Sequence, residues 1–260
     1  MKAAAPRVRF KPPRAVPYAQ QAPVAGSVGV GEWSAARPRT LVDHAVDAIL
    51  SAASRGLIIP GERISEPELS RRLRMSRVPI REALRTLESQ GVVTSEPYKG
   101  IRLMTATRQR LEQIIDVRVP LELLACRRAI EQGCNGPHEV GRLREAVAEM
   151  SLMSQRGDTY GFATADTAFH RILCSFAGNP VLDMLWESIA RQLTVIFGLL
   201  TLRKPMADNI EEHLLLAELF ASGDIAAMHR ELEDHIRIHQ QAADLEEIVS
   251  DCRAAAYGNP

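Results

Sequence analysis

Asp166 and His170 stand four apart in the stretch ADTAFHRIL, residues 165–173. Residues at i and i+4 are neighbours on one face of a helix, so a carboxylate and an imidazole at this spacing can reach a single bound cation. The same pair can equally close an ordinary Asp–His hydrogen bond. A second chemistry is offered by SRVPIREAL, residues 76–84, where Arg77 and Arg81 are also four apart, opposite the apolar Ile80 and Leu84, and Arg85 extends the basic stripe. A guanidinium on an exposed helix face can bond guanine O6 and N7 bidentately or grip a phosphate. The competing reading is a solvated basic face on a structural helix.

The elements that must hold these residues follow from periodicity and punctuation. LVDHAVDAILSAASRGLI places Leu41, Ala45, Ala48, Ile49 and Ala52 at helical spacing, and Gly56 ends the helix. PELSRRLRMSRVPIREALRTLESQGVV reads as two short helices split near Leu73–Ser76, the second closed by Gly91 and suited by Pro79 in its first turn. VVTSEPYKGIRLM is two β-type runs around Pro97–Gly100, a hairpin signal with Lys99 and Gly100 at its tip. Three helices and a two-stranded wing make a winged helix-turn-helix, whose second paired helix enters the major groove through its N-terminal residues. Beyond Thr105 every long segment has helical period, with breaks at Gly133–Pro137, Gly157-Asp158, Gly178–Pro180, Lys204-Pro205 and Gly223-Asp224. Pro120 falls inside one such pattern and is expected to start or kink a helix.

The expected fold is therefore mainly α: a winged helix-turn-helix over residues 39–104, then an all-α bundle of roughly six or seven helices over 105–250. A Pro/Ala-rich basic tail at 1–38 is expected to be disordered, and 251–260 to form a C-terminal tail.

Composition bounds the partners. The formal net charge of zero conceals +6 over residues 1–39, +2 over 40–104 and −8 over 105–260, so a polyanion is expected to meet the N-terminal part. No run of about eighteen apolar residues is present to span a bilayer. Cys126, Cys134, Cys174 and Cys252 are scattered without a CxxC and read as free thiols. With no secretory signal pattern either, the chain is expected to work in the cytoplasm, away from membranes.

ISEPELSRRLRMSRVPIREALRTLESQGVV resembles the winged helix of GntR-family bacterial transcription regulators, most specifically in SR-x-P-[IV]-REAL-x-x-L, with the likeness running from Leu41 to Leu103. The resemblance implies a ligand-responsive transcription regulator that binds double-stranded operator DNA as a homodimer. It places the DNA contacts at Arg71, Ser76, Arg77, Val78, Arg81, Arg85, Lys99 and Gly100. Val78 stands where Thr is usual, which removes a hydroxyl, and Pro67 stands where some relatives carry a DNA-contacting Arg.

DVRVPLELLACRRAI, DTAFHRIL with AGNPVL, and EEHLLLAELFASGDIAAMHRELEDHI resemble the FCD-type ligand-binding domain of the FadR subfamily over residues 107–247. That likeness implies that His213 and His235 join Asp166 and His170 around a divalent metal, with zinc expected first and nickel, iron or manganese as alternatives. A small organic-acid effector is expected on that metal. Arg118 is the candidate to grip its anion, although a surface ion pair with Glu122 would serve Arg118 as well. Asn179 is a candidate pocket residue or, more simply, a helix cap. His44, His138, His229 and His239 are read as surface or capping residues. The rival class, a metal-dependent hydrolase fused to a DNA-binding module, lacks an HExxH or any comparable poised general base.

Overall fold

The computed structural model describes residues 39–98, 100–203, 208–238 and 244–258. The expected 1–38 tail, Lys99, and His239 lie outside the described residues. Helix α1, Leu41–Ser54, starts at a capping box: the Thr40 hydroxyl accepts from the Asp43 N–H at 3.1 Å, and the Asp43 carboxylate accepts from the Thr40 N–H at 2.9 Å. Strand β1, Arg63–Ile64, leads into α2, Glu66–Leu73, capped by Ser65. Arg74 closes α2 in the left-handed region at φ 52°, making the tight connection that Met75 and Ser76 complete before α3, Arg77–Ser89. Strands β2, Val93–Glu96, and β3, Gly100–Leu103, form the wing.

The sheet differs from the expected hairpin in having a third strand. Its order is β1-β3-β2, antiparallel throughout, with Arg63 opposite Arg102, Ile64 opposite Ile101 and Thr94 opposite Arg102. Two residues are too short a run to show an alternating pattern, so β1 carried no periodic signal.

Seven helices follow among the described residues: α4 Arg108–Glu131, α5 Pro137–Gln155, α6 Thr159–Ser175, α7 Pro180–Leu200, α8 Asp208–Ser222, α9 Ile225–Ile238 and α10 Leu245–Tyr257. Pro120 does not start a helix. Helix α4 runs continuously across it, sacrificing a single backbone N–H. Helix α10 continues through the expected domain boundary at residue 250 and anchors itself with Leu245 and Ile248 in the core. Helix α7 is buried on nearly all sides from Gln192 to Leu200, which makes it the central rod of the bundle. It packs on α6, α4 and α10 and also on α1 of the winged helix. The α1–α7 crossing is close because Gly198 has no side chain: a Cβ there would lie 2.3 Å from the Ser54 Cβ. One buried apolar cluster thus runs from Ile49, Ile80 and Leu84 into Trp186, Leu193 and Phe220.

Candidate metal centre and nucleic-acid interface

Helix α6 carries Asp166 and His170 inward, α8 carries His213 and α9 carries His235. All four are buried. Among the described residues His170, His213 and His235 form a group whose candidate ligand atoms lie within 4.8 Å of one another. The Nε2 atoms of His170 and His235 approach to 3.3 Å, and the Asp166 Oδ2 lies 3.5 Å from the His213 Nε2.

What directs these nitrogens inward is the set of oxygens behind the rings. The Nδ1 of His170 meets the Glu122 Oε2 at 2.7 Å, that of His235 meets the Glu212 Oε2 at 2.8 Å, and that of His213 meets the Asn209 backbone oxygen at 2.6 Å. A backbone carbonyl only accepts, so His213 must donate from Nδ1, which leaves its Nε2 as a bare lone pair. Carboxylates behind the other two rings favour the same tautomer. Asp166 Oδ1 and His213 Nε2 find no hydrogen-bond partner among the described residues, although both are buried. Burial without a partner is costly for such groups, and a cation among the three nitrogens and the carboxylate satisfies them together. The donor set of three neutral imidazoles and one carboxylate fits a divalent transition metal.

The electrostatics follow from burial. Desolvation pushes the Asp166 carboxyl up to about 7, against the pull of Arg118 and with the aid of Glu122. Desolvation pushes the His213 imidazole down to about 4; the bond to Asn209 resists this and Arg118 adds to it. Burial also raises Glu122, opposed by Arg118.

Arg118 is not on the surface. Its ion pair with Glu122 is made, at 2.5 Å, but the two side chains are only 1% and 0% exposed. Only Nε is engaged there. Nη1 and Nη2 have no hydrogen-bond partner among the described residues, and the guanidinium carbon lies 5.5 Å from the centre of the Trp186 ring. A buried guanidinium with two such N–H edges has the geometry that could receive an anion bidentately. Asn179 serves as the cap of α7, its side-chain oxygen accepting from the Val181 N–H at 3.2 Å. His44 and His138 are exposed, and His229 bonds the Leu123 carbonyl at 3.1 Å. The sequence reading missed Glu122 and Glu212 as supports of the imidazoles. Their sole trace in sequence was position: Glu122 four after Arg118, and Glu212 adjacent to His213.

The second site lies on the winged helix. Arg77, Val78, Arg81 and Arg85 are exposed on α3 while Pro79, Ile80, Ala83, Leu84 and Leu87 are buried, and Arg71 is exposed on α2. Ser76 sits at the α3 N-cap without using its side chain to cap. Arg81 pairs with Glu66 of α2 at 3.2 Å and Arg85 with Glu82 at 2.9 Å, both solvent-exposed pairs. The wing turns through Tyr98 at φ 65° and Gly100 at φ 79°. A Cβ at Gly100 would also come 2.9 Å from the Arg63 Nε, which the flexible Arg63 side chain could relieve, so it is the positive φ that favours glycine there.

Comparison with known proteins joins the two sites. The gntR family of bacterial regulatory proteins matches residues 41–103, and the FCD domain matches residues 113–238. An uncharacterized HTH-type transcriptional regulator of the TAR-I ttuE-ttuC' intergenic region in Agrobacterium vitis is 34% identical over 139 residues, which is 53% of this chain and 81% of the relative. A probable D-xylose utilization operon transcriptional repressor of Paenarthrobacter nicotinovorans is 28% identical, over 79% of this chain and 88% of its own length. Among solved structures, E. coli McbR/YncC shares the fold at a TM-score of 0.65 and 21% identity, covering 82% of this chain and 99% of that one.

Proposed function

We propose a function from the premise that this chain belongs to the gntR family of bacterial regulatory proteins, as a transcription regulator with a DNA-binding winged helix and an FCD domain, and is not an enzyme. The proposal is that the FCD domain binds a divalent metal and, on it, a small organic acid, and that this binding changes how the winged helix meets its operator. The observation that carries it is the convergence of three imidazoles whose Nδ1 atoms are all engaged from behind by oxygens.

Asp166, His170, His213 and His235 would hold the metal. When bound, it supplies a Lewis-acid centre for an effector carboxylate. The chain's own residues do the rest. Glu122 orients His170 and holds the Arg118 Nε, Glu212 orients His235, and the Asn209 carbonyl orients His213. Arg118 offers its two remaining N–H edges to the effector's anionic group. The surrounding bundle excludes water, which strengthens each of these contacts. On the winged helix, Arg77, Arg81 and Arg85 face the major groove, with Ser76 and Arg71 on flanking phosphates and Gly100 and Lys99 at the wing. A gluconate operon transcriptional repressor of Bacillus subtilis is among the relatives, at 25% identity, and repression is the mode proposed here.

The test is elemental analysis of the protein purified without chelator, followed by a calorimetric titration of organic acids into the metal-loaded and metal-free forms. Metal near one equivalent per chain, lost in a His170→Ala, His213→Ala double variant, is the expected result. A parent that retains no metal after replenishment with zinc or nickel would overturn the metal reading. Acids that bind equally with and without metal would overturn the role given to it.

A further inference from the structure

Two helices that wall the candidate effector site meet again at the back of the recognition helix, and one side chain holds the junction. Gln192 lies on α7 and is 8% exposed. Its Oε1 accepts from the Arg110 Nη2 at 2.7 Å, and its Nε2 donates to the Gln90 carbonyl at 2.9 Å and to the Ser188 carbonyl of its own helix at 3.3 Å. Gln90 is the C-cap of α3, the DNA-facing helix, and Arg110 lies in the first turn of α4. The contact is close: Gly91, at φ 70°, could not carry a Cβ without bringing it 2.9 Å from the Gln192 Nε2.

The same two helices reach the effector site. Arg118 is eight residues beyond Arg110 on α4, about 12 Å along the axis, and Trp186 is six residues before Gln192 on α7, about 9 Å away. Arg118 and Trp186 are in cation–π contact at 5.5 Å, and the Trp186 ring lies 6.0 Å from that of His170. A ligand seated on the Arg118 fork bears on α4 directly and on α7 through Trp186. Any relative shift of the two rods is then felt by the Gln192 amide, which bonds both of them and the end of α3.

We propose that Gln192 is the positioning residue through which the effector site acts on the recognition helix. This rests on the reading that the α4–α9 site takes a ligand. Gln192 touches neither ligand nor DNA; its amide ties the α3 C-terminus to α4 and α7, so that rearrangement at Arg118 and Glu122 tightens or loosens the turn at Gln90–Val92. The isosteric Gln192→Glu keeps an acceptor for Arg110 and replaces the donor to the Gln90 carbonyl with a second acceptor. It breaks the link to α3 while leaving the link to α4.

The experiment follows hydrogen exchange at the amides of residues 87–93 in the full-length parent, Gln192→Glu, Glu122→Gln and the double variant, with and without zinc ion, beside a calorimetric titration of zinc. Glu122→Gln and zinc are two independent perturbations of the site. In the parent background each is expected to change exchange at residues 87–93 by about fivefold or more, the lower end of ordinary allosteric coupling. In the Gln192→Glu background the change should vanish. Equal changes in both backgrounds, or none in either, overturn the proposal, since a merely structural Gln192 would give additive effects. Absence of a zinc heat would count against the metal reading alone, and the Glu122→Gln arm would still decide the role of Gln192. Thermal melts identify a variant that does not fold: zinc then stands in for Glu122→Gln, and Gln192→Met, which removes both bonds, for Gln192→Glu.

Discussion

At the scale of single residues, Asp166 and His213 are a buried pair pushed away from their ordinary ranges in opposite directions, and the sign of each shift gives a pH dependence. Folding favours the protonated Asp166, whose carboxyl is raised to about 7. Its contribution to the stability of the metal-free protein is complete below the ordinary carboxylate value of 3.8 and is lost as pH rises through 7. Folding favours the neutral His213, lowered to about 4, so its contribution is complete above 6.5 and is lost as pH falls toward 4. A metal needs Asp166 ionised and His213 neutral, so below pH 7 it must expel the carboxyl proton, and affinity should fall about tenfold for each unit of that descent. Zinc should therefore raise the melting temperature more near pH 8 than near pH 5.5, as scanning calorimetry can measure; a gain independent of pH would count against Asp166 as a ligand. The support behind the rings has its own test. Glu122→Gln removes the charge that holds both His170 and Arg118, and zinc affinity should fall by about 10–100-fold, the usual cost of losing such a support. Glu122 was illegible in the sequence as part of the site. Its role arises only when α4 packs against α6, whereas the i, i+4 spacing of Asp166 and His170 lies within one helix and could be read directly.

The elements were legible in proportion to their length and punctuation. Helices α4, α5, α6 and α8 announced themselves by apolar period and by the glycines that follow them, and α7 by the Lys204-Pro205 break, while β1 was too short to signal and α10 crosses the boundary expected at residue 250. No helix starts at Pro120, because the loss of one N–H is tolerated when a helix of 24 residues is held by packing along its length. On α3 the sequence reading of an exposed basic stripe agrees with the burial pattern, but the Arg81–Glu66 pair was not foreseen, since it spans two elements. That pair contributes at most about 1 kcal/mol because both groups meet solvent. Arg81→Ala should accordingly leave the melting temperature within about 2–4 °C of the parent, yet weaken operator binding by about 1–3 kcal/mol through the loss of a bidentate base contact. Glu66→Gln, which releases Arg81, is the control and should bind at least as tightly. Fluorescence anisotropy at fixed salt, on a duplex selected by the protein from a random pool, reads both; an Arg81→Ala variant that binds as tightly as the parent would remove α3 from the groove.

At the scale of the whole molecule, one winged helix presents too few base contacts to select a site against bulk DNA, and two-fold operators mirror two-fold proteins. The chain also leaves apolar residues in solvent that its own core does not need. Val117 and Leu124 lie on one face of α4, seven residues apart, and Val181, Met184 and Leu185 lie together on the first turns of α7; the exposures run from 46% to 64%. Helices α4 and α7 pack on each other, and they are the two helices that carry Arg118 and Trp186 at the proposed effector site. A dimer built on these stripes would place the partner against the same two rods proposed to respond to ligand, so that both reading heads would be set by one event. The expected species in solution has about twice the mass of the 28.7 kDa chain. Glutamate at Met184 and Leu185 together, or at Val117 and Leu124 together, should convert it to monomer in light scattering while leaving zinc content unchanged, because none of the four side chains faces the imidazole cluster. Operator affinity should fall by about two orders of magnitude or more as the second head becomes an independent binding event. A parent that remains a monomer on saturating operator, or charge variants that remain dimers, would place the interface elsewhere.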